Sequence, residues 1–559
     1  MILEPILNLV SICSQKGVNN AILSPGSRCA PITLAFVRHP KIHSRTISDE
    51  RAAAFIALGM AQQLEKPVAL VCTSGSAAYN YAPAIAEAYF QQVPLIVITA
   101  DRPPEWIDQW DGQTIRQEEI YGKHVKGSFS FPDDFHHKDK VWHANRIANE
   151  AINLAQQFPA GPVHINIPLR EPFYPNADEQ FSFDLKVKQI EVITTEAVIT
   201  GETKEKLKSK LSRFNKILIV PGQQRPNEKL QKTLNQIASL DKAVVVTDTI
   251  SNLQSEETVN FHDHFIGNTV FQKDLNPDLV ISFGKSIISK NLKLFLRNSE
   301  AEHWHVQQDG YSPDTFQSLT HTIQCQPHSF LKFLEENKAS NELYSSSWNL
   351  LEEKIKNNLP EVFSQTEFGE YKAIASCLKF IPQHAKLHVA NSMAIRYVNL
   401  LGIRKQEVIC NRGTSGIDGS NSTAVGCTFT TKDPVTLITG DLAFFYDRNA
   451  FWHNYTMPNL RIILLNNHAG GIFRLIDGPA KQPELEEFFE TKQSLTAQNL
   501  CKDFGFEYHY IADEKSLTDV MENFFHKSLN PKLIEIKTES HKNADILKWV
   551  KAKINDGLL

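Results

Sequence analysis

The sequence of 559 residues has no excess of basic residues and no apolar run long enough to cross a membrane. Its 58 Lys and Arg residues against 63 Asp and Glu give a formal net charge of −5, and the basic residues are dispersed along the chain. We therefore do not expect a nucleic-acid partner. The apolar runs fall short of the roughly 20 residues that a transmembrane helix requires, so we do not expect a membrane partner either.

Cysteines are also few. The eight cysteines include no C-x-x-C pair, and several lie inside apolar runs. This distribution is typical of reduced thiols in a cytoplasmic protein. The N-terminal stretch "MILEPILNLVSICSQKG" has no basic region and carries Glu4 early, which predicts an amphipathic first helix and not a signal peptide. We therefore expect a cytoplasmic protein.

The chain does contain short β-branched runs that alternate with helical patterns from end to end, which is typical of parallel α/β layers. The strand candidates are "NAILSPG", "KPVALVCTSG", "VPLIVITAD" and "GPVHINIP" in a first block, "NKILIVPG", "KAVVVTDT", "PDLVISFG" and "AEHWHVQQ" in a second, and "KLHVANS", "QEVICNRG", "DPVTLITGD", "NLRIILLNN" and "PKLIEIKT" in a third. The sequence predicts an α/β fold of three doubly wound parallel-sheet domains, with bounds 1–185, 186–345 and 346–559. In such sheets ligands bind beyond the carboxyl ends of the strands, so polar residues there are the candidates for a functional site.

The third block contains an acidic residue at the end of an apolar strand. Asp441 ends "DPVTLITGD", and the next strand leads into Asn466 and Asn467. One crossover helix between parallel strands would place these ends side by side, and a carboxylate, an amide oxygen and a nearby backbone carbonyl suit Mg²⁺. Taken singly, each motif has a structural alternative, because Asp commonly caps helices and Asn pairs are common in turns. Together they predict a metal ion that holds a diphosphate.

A strand ending in Gly-Asp, with Asn-Asn at the end of the following strand, resembles the signature of thiamine-diphosphate-dependent enzymes. The resemblance implies thiamine diphosphate and Mg²⁺, with Mn²⁺ as a substitute, as cofactors. It implies that Asp441, the side chain of Asn467 and the backbone carbonyl of Ala469 are the metal ligands. The third signature residue is often Gly and is Leu442 here. The family also implies a homodimer at least, with a homotetramer as the larger alternative, because the pyrimidine-binding and diphosphate-binding domains that share one cofactor generally come from different subunits.

A thiamine enzyme also needs a carboxylate that hydrogen-bonds the aminopyrimidine ring and so promotes loss of the proton from thiazolium C2. In "TISDERAAAFIALGMA", Glu50 stands at a strand-to-helix junction and is followed by small residues that would let a flat ring approach. Nearby, "TSGSAAYNYAPAIAEAY" and "VPLIVITADRP" resemble the pyrimidine-binding domain of the family. The resemblance therefore makes Glu50 the catalytic residue. Without it, Glu50 is an ordinary first-turn glutamate that the helix dipole stabilises.

Seven ordered segments resemble one branch of the family, the enzymes of menaquinone biosynthesis that join 2-oxoglutarate to isochorismate. They are "SPGSRCAPITLA", "TADRPPEWID", "GQTIRQ", "NSMAIRYV", "NRGTSGIDGSNSTA", "GDLAFFYDRNA" and "NNHAGGIF". The resemblance implies decarboxylation of 2-oxoglutarate and 1,4-addition of the resulting succinyl carbanion to isochorismate, a carboligase (transferase) reaction. Ile417 matches the bulky residue that supports the bent cofactor. The cofactor-binding residues implied are Glu50, Ser392, Gly416, Ile417, Gly440, Asp441, Leu442 and Asn467.

Arginines recur near strand ends, and both substrates of this branch are dicarboxylates. The planar fork of arginine suits bidentate carboxylate binding, although a single such arginine is more often a surface ion pair. By the resemblance, the residues that bind substrate are Ser27, Arg28, Arg102, Gln113, Lys290, Ser392, Arg396 and Arg412, and an apolar wall is formed by Ile472, Phe473 and Ile476. Such a wall favours loss of charge on decarboxylation. The family's basic pair in the middle domain is Lys290-Asn291 here, so only Lys290 carries over.

Three alternatives are open from the sequence. Another thiamine-dependent 2-oxo acid decarboxylase or an acetohydroxyacid synthase is the nearest, but the His-His pair of simple decarboxylases has only His136-His137 to match it, in a polar segment. A nicotinamide or flavin oxidoreductase lacks support, because no G-x-G-x-x-G occurs and "GTSGIDG" has the wrong spacing. The third is an inactive binding or regulatory homologue. Against it, the acid, the metal-ligand side chains and the arginines are all present.

Overall fold

The computed structural model describes residues 4–176 and 179–558, which form three parallel β-sheets flanked by helices. The predicted α/β fold of three parallel-sheet domains is confirmed. Met1, Ile2 and Leu3 of the predicted first helix, and Ala177 and Asp178 of the predicted end of the first block, lie outside the described residues. Within the described ranges, no helix has the length and apolarity needed to cross a bilayer. All eight cysteines are buried free thiols.

The first sheet contains β1 (Asn20–Leu23), β2 (His43–Thr46), β3 (Val68–Cys72), β4 (Leu95–Asp101), β5 (Ser128–Ser130) and β6 (Val163–Pro168). Its helices are α1 (Glu4–Gln15), α2 (Ala30–Arg38), α3 (Glu50–Leu64), α4 (Ser76–Asn80), α5 (Ala82–Gln91) and α6 (Lys138–Gln156). The strand order is β2-β1-β3-β4-β6-β5, with every pair parallel. The chain reverses its direction across the sheet between β1 and β3, so the ligand crevice of this sheet lies beyond their carboxyl ends.

The second sheet contains β7 (Ile217–Pro221), β8 (Val244–Val245), β9 (Leu279–Phe283), β10 (Glu302–Gln307) and β11 (Leu319–Gln324), in the order β11-β10-β9-β7-β8. Its helices are α7 (Gly201–Leu211), α8 (Glu228–Ser239), α9 (Thr269–Leu275), α10 (Lys290–Asn298) and α11 (Pro327–Asn337). A long helix, α12 (Glu342–Gln365), then leads to the third sheet.

The third sheet contains β12 (Lys386–Val389), β13 (Glu407–Ile409), β14 (Val435–Gly440), β15 (Leu460–Asn466), β16 (Glu507–Ile511) and β17 (Lys532–Lys537), in the order β13-β12-β14-β15-β17-β16. Its helices are α13 (Glu370–Leu378), α14 (Met393–Leu400), α15 (Ser420–Thr428), α16 (Asp441–Tyr446), α17 (Gln498–Asp503), α18 (Glu514–Phe524) and α19 (Ser540–Leu558). The direction reverses between β12 and β14. The crevice of the third sheet therefore lies at the ends that carry Ser392 and Asp441.

Helix α3 of the first domain crosses α15 of the third at very close range. A Cβ atom on Gly59 would lie 2.0 Å from the carbonyl oxygen of Thr423, and one on Gly426 would lie 2.1 Å from that of Ile56. Only glycine allows the two backbones to approach this closely. Buried side chains of α3 also share one apolar cluster with β14 and β15. The helix that begins at Glu50 is therefore packed against the third domain of its own chain.

Candidate active site

The two predicted metal-ligand side chains lie at adjacent strand ends of the third sheet. β14 and β15 are parallel neighbours, with Gly440 opposite Leu465. Asp441 directly follows β14 and begins α16, and Asn467 directly follows β15. The predicted adjacency of these two strand ends is confirmed. Asp441 is only 2% exposed, and Ala469 is also buried.

This part of the structure contains two buried carboxylates without a cationic partner. Burial raises the pKa of Asp441 to about 6. Glu370, the first residue of α13 and only 3% exposed, has its pKa raised to about 7 by burial, with a further contribution from the charge of Asp441. Within the described residues, no Lys, Arg or His is among the groups that shift either carboxyl. Two buried like charges are costly, and a divalent cation beside them would offset that cost.

The oxygen donors at these strand ends fit Mg²⁺ or Mn²⁺. The side chains supply a carboxylate from Asp441 and an amide oxygen from Asn467, whose Oδ1 accepts the backbone N–H of Ala469 at 2.9 Å. Such hard oxygen ligands suit Mg²⁺, which retains positions for phosphate and water. Gly440 precedes them, and a Cβ atom there would meet nothing within 4 Å. Leu442, in the first turn of α16, approaches Gly470 closely, since a Cβ atom on Gly470 would lie 3.3 Å from Cδ1 of Leu442.

Glu50 lies at the crevice of the first sheet, as its first-turn position in α3 predicts. The preceding residue, Asp49, caps the helix by accepting the N–H of Ala52 at 3.1 Å, so the carboxylate of Glu50 has no capping role. Glu50 lines a cavity of about 450 Å³ with the loops after β1 and β3. The buried hydroxyl oxygens of Thr73 and Ser74 in this lining have no hydrogen-bond partner within residues 4–176 and 179–558. The cavity therefore offers a carboxylate and two unsatisfied hydroxyl groups to a polar ligand.

Glu50 and Asn467 line separate cavities in one chain. The cavity beside Asn467 and Ala469, of about 320 Å³, is lined by residues from 467 to 541, whereas the Glu50 cavity is lined by residues from 25 to 115. Among the described residues, the two linings share no member. A cofactor that contacts both groups needs these two surfaces to be brought together.

The first pair of predicted substrate arginines lies together in the first domain. Arg28 is buried, donates to the carbonyl of Leu169 at 2.8 Å and stacks over Phe173. Arg102 forms an ion pair with Asp111 at 3.0 Å. Burial lowers the pKa of Arg28, and the neighbouring charge of Arg102 lowers it further. The Nε of Arg102 is buried and has no hydrogen-bond partner in the described parts of the chain.

The second pair lies at the crevice of the third sheet. Arg396 donates to the carbonyl of Ser392 at 2.6 Å, and Arg412 donates to Oδ1 of Asn391 at 3.1 Å. Burial lowers the pKa of Arg396, and the charge of Arg412 lowers it further. The Nε of Arg412 is buried and finds no partner among the residues described. Like charges held together with unsatisfied N–H groups indicate an anionic ligand.

Two lysines of the middle domain lie on α10, the predicted Lys290 and, three residues later, Lys293. Lys290 begins α10, is exposed and forms no side-chain hydrogen bond or ion pair within the described residues. About one helical turn later, Lys293 is half-buried, and its pKa is lowered by burial and then by Arg412, with Arg396 also contributing. The role of Lys290 stays a prediction, and Lys293 is a second candidate that lies nearer the arginines. The i, i+3 spacing along a helix could have indicated Lys293, but its distance from the arginines depends on how the domains pack.

The remaining predicted residues lie on loops around the two crevices. Ser392 has a φ of 71° and precedes α14, and the carbonyl of Gly416 accepts Nδ2 of Asn391 at 2.7 Å. Ile472 and Phe473 lie on a 3₁₀ turn, Gly471–Leu475, and are half-buried. The exposed members are Ser27, Gln113, Ile417 and Ile476. The three residues predicted to form an apolar wall are therefore neighbours, with Ile476 more exposed than the other two.

Comparisons with known proteins show the family to which the chain is similar. The family model described as "Thiamine pyrophosphate enzyme, N-terminal TPP binding domain" matches residues 8–120, and the one described as "Middle domain of thiamine pyrophosphate" matches residues 194–389. A relative from Cytophaga hutchinsonii, named 2-succinyl-5-enolpyruvyl-6-hydroxy-3-cyclohexene-1-carboxylate synthase, is 46% identical over 565 residues and 100% of both chains. Relatives with the same name are 39% identical in Flavobacterium johnsoniae, over 97% of both chains, and 36% identical in Porphyromonas gingivalis, over 97% of this chain and 95% of the relative.

These relatives match 97% or more of this chain, and the family models identify thiamine diphosphate as the cofactor. The chain belongs to the 2-succinyl-5-enolpyruvyl-6-hydroxy-3-cyclohexene-1-carboxylate synthases, a family of thiamine-diphosphate-dependent enzymes.

Proposed function

We propose that this enzyme decarboxylates 2-oxoglutarate and adds the succinyl unit to isochorismate, giving 2-succinyl-5-enolpyruvyl-6-hydroxy-3-cyclohexene-1-carboxylate in menaquinone biosynthesis. The observation that carries the proposal is the two arginine pairs, Arg28 with Arg102 and Arg396 with Arg412, at the crevices of the sheets that also carry Glu50 and Asp441. Four guanidinium groups match two dicarboxylate substrates better than one neutral 2-oxo acid. The eight buried thiols support a cytoplasmic location.

The residues at the third sheet would hold the metal and the diphosphate. Asp441, Asn467 and the carbonyl of Ala469 would bind Mg²⁺ or Mn²⁺, beside Gly440, Leu442, Ser392 and Gly416. The two buried carboxyls of Asp441 and Glu370 support this role, because a divalent cation would offset their negative charge. Bound thiamine diphosphate supplies an acidic carbon and an electron sink for decarboxylation.

Glu50 would take the proton-handling role. We propose that its carboxylate pairs with a ring nitrogen of the aminopyrimidine, with Ile417 as the support on the other side of the cofactor. The arginine pairs, Ser27, Gln113 and the predicted Lys290, with Lys293 beside it on α10, would orient the two substrates by their carboxylates. Ile472, Phe473 and Ile476 would exclude water from the side where charge is lost.

A homodimer is the smallest assembly in which the Glu50 surface and the Asn467 surface of one site can come from different subunits. A homotetramer would be a pair of such dimers. The separate cavities of Glu50 and Asn467 support the proposal that each complete site combines the two surfaces of different subunits. We also propose residues 1–185, 186–345 and 346–559 as the pyrimidine-binding, central and diphosphate-binding domains. One sheet within each range supports the division into three, and the bound between 345 and 346 lies within α12.

Mass spectrometry of the products tests the proposed reaction. The purified protein with thiamine diphosphate and Mg²⁺ is incubated with isochorismate and either 2-oxoglutarate or pyruvate. We expect the succinyl adduct from 2-oxoglutarate and no adduct from pyruvate. Efficient turnover of pyruvate with 2-oxoglutarate left intact would contradict the proposal and favour another 2-oxo acid decarboxylase or an acetohydroxyacid synthase. Sedimentation in the same buffer measures the assembly, and a monomer that is fully active would contradict the shared site.

A further inference from the structure

Two further side chains contact the proposed metal-ligand side chains directly. No sequence pattern indicates either of them. Oε1 of Glu370 accepts a hydrogen bond of 2.6 Å from Nδ2 of Asn467, and Nε2 of Gln493 donates one of 2.6 Å to Oδ2 of Asp441. We propose that Glu370 and Gln493 are positioning residues that fix which atoms Asn467 and Asp441 present to a divalent cation. This inference rests on the proposed metal site.

The orientation of the Asn467 amide follows from its two hydrogen bonds. A side-chain amide offers one oxygen acceptor and one NH₂ donor, and only the oxygen binds Mg²⁺. The NH₂ group faces Glu370, while Oδ1 lies toward Ala469 and accepts its N–H at 2.9 Å. The second lone pair of Oδ1 stays available on the side where the carbonyl of Ala469 is expected to join it. Without an acceptor at Glu370, the reversed amide costs less, and it would turn the NH₂ group toward the cation.

Glu370 is itself held from three sides. Its backbone N–H donates to Oδ1 of Asn543 at 3.0 Å, and Nδ2 of Asn543 donates to Oγ1 of Thr538 at 3.0 Å. The hydroxyls of Tyr397 and Thr538 are further hydrogen-bond partners of the Glu370 carboxyl. The preceding residue, Gly369, packs closely against α19, since a Cβ atom there would lie 2.7 Å from Cδ1 of Ile546. These contacts hold the carboxyl next to Asn467, where the N-terminus of α13 also stabilises it.

Gln493 is oriented in the same way. Its side-chain oxygen accepts the backbone N–H of Leu495, and its own backbone N–H donates to the carbonyl of His468 at 3.0 Å. The NH₂ group is consequently the part that faces Asp441, and it also lies 3.2 Å from Oδ1 of Asn466. A donor fixed on one carboxylate oxygen sets the rotation of the Asp441 carboxylate. Outer partners of this kind typically change metal affinity by about 10- to 100-fold when they are removed.

Direct Mn²⁺ binding tests the proposal without relying on turnover. Free Mn²⁺ is measured by electron paramagnetic resonance while it is titrated into the full-length protein with saturating thiamine diphosphate. We expect Glu370→Leu, which removes the acceptor, to weaken Mn²⁺ binding about 10- to 100-fold, and Glu370→Gln, which retains an acceptor oxygen, to stay near wild type. Gln493→Leu should also weaken Mn²⁺ binding. It provides a second measurement if Glu370→Leu does not fold.

Glu352→Gln serves as the matched control, because Glu352, like Glu370, is a buried carboxyl. It accepts the backbone N–H groups of Asn260 and Phe261 and lies on α12, away from the metal site. The Mn²⁺ affinity of this variant should equal that of wild type.

Asp441→Asn separates the positioning roles from the metal site itself. If Asp441→Asn abolishes binding while Glu370→Leu and Gln493→Leu bind like wild type, the positioning roles are wrong and the metal site stands. If Asp441→Asn binds Mn²⁺ as well as wild type, the proposed metal site is itself overturned.

Discussion

Thr414 donates both its backbone N–H, at 2.6 Å, and its hydroxyl, at 2.7 Å, to Oε2 of Glu87. Oε1 of the same carboxylate accepts the N–H of Gly413 at 2.8 Å. Glu87 is only 1% exposed and lies on α5 of the first domain, whereas the loop that it holds carries Arg412 of the third. One buried carboxylate thus holds, across the domain interface, the loop that carries Arg412, a residue proposed to bind substrate.

Glu87→Gln should therefore raise the KM of a dicarboxylate substrate by about 10-fold or more, because hydrogen bonds to a charged group contribute about 1.5–3 kcal/mol. The new NH₂ group is a donor and would face the N–H of either Gly413 or Thr414, so one hydrogen bond to the loop would be lost. Mn²⁺ affinity and thiamine diphosphate binding should not change. Steady-state kinetics with each substrate varied in turn measures the effect. Glu150→Gln, which alters an exposed ion pair with Arg146 on α6, is the control, and equal KM values for the two variants would argue against the role of Glu87.

Arg412→Lys should raise the KM for one substrate by about 10-fold or more, since lysine keeps the charge but loses the planar fork and the hydrogen bond to Asn391. A kcat close to wild type would accompany a role in substrate binding alone. Arg146→Lys, on the exposed face of α6, should leave both constants unchanged. If Arg412→Lys behaves like this control, Arg412 does not bind substrate.

Glu50→Gln should retain the fold and the binding of Mg²⁺ and thiamine diphosphate, and should lose activity by more than about 100-fold, because an amide cannot perform the proton transfer assigned to the carboxylate. Circular dichroism and calorimetric titration of the cofactor check the first part, and isochorismate consumption checks the second. Full activity in this variant would remove Glu50 from the catalytic machinery.

Asp447→Asn should make stability less dependent on pH. Burial raises the pKa of Asp447 to about 7, while the charge of Arg51 lowers it and that of Asp49 raises it. The folded state therefore prefers the protonated carboxyl. The stability that this preference supplies is fully present below about pH 4, and it is lost as the pH rises to about 7, at about 1.4 kcal/mol per unit of pKa shift.

Melting temperatures between pH 4 and pH 8 measure this effect. The advantage of Asp447→Asn over wild type should grow with pH, because asparagine carries no charge and its oxygen can still accept the N–H of Ser422, which donates to Asp447 at 2.7 Å. A difference that is constant across this range would contradict the assignment of a buried, titrating carboxyl.

The strands that the sequence patterns miss share one property. Within residues 4–176 and 179–558, the thirteen predicted strands all occur, and the four others, β2, β5, β11 and β16, lie at the edges of their sheets. An edge strand has one open side and needs no continuous apolar run, as the polar "HSRT" of β2 illustrates. Interior strands such as β4 (LIVITAD) and β15 (LRIILLN) are buried on both faces and consequently have mostly apolar, often β-branched residues.

The site was predictable where a residue type and its position at a strand end carry the information, as for Asp441 and Asn467. A residue of the site was not predictable where it is identified only by a contact with a residue far away in the sequence. Glu370 contacts Asn467 because α13 begins beside β15, and no local pattern in "FGEYKAIAS" indicates that contact. Lys293 and Glu87 depend in the same way on domain packing.

The central claim is tested most directly by an ultraviolet progress curve with purified protein, thiamine diphosphate, Mg²⁺ and 2-oxoglutarate, recorded with and without isochorismate and again after addition of a chelator. We predict that the two substrates are consumed together, only when both are present, and that the chelator stops the reaction. Consumption of isochorismate that needs neither 2-oxoglutarate nor a divalent metal would contradict the account.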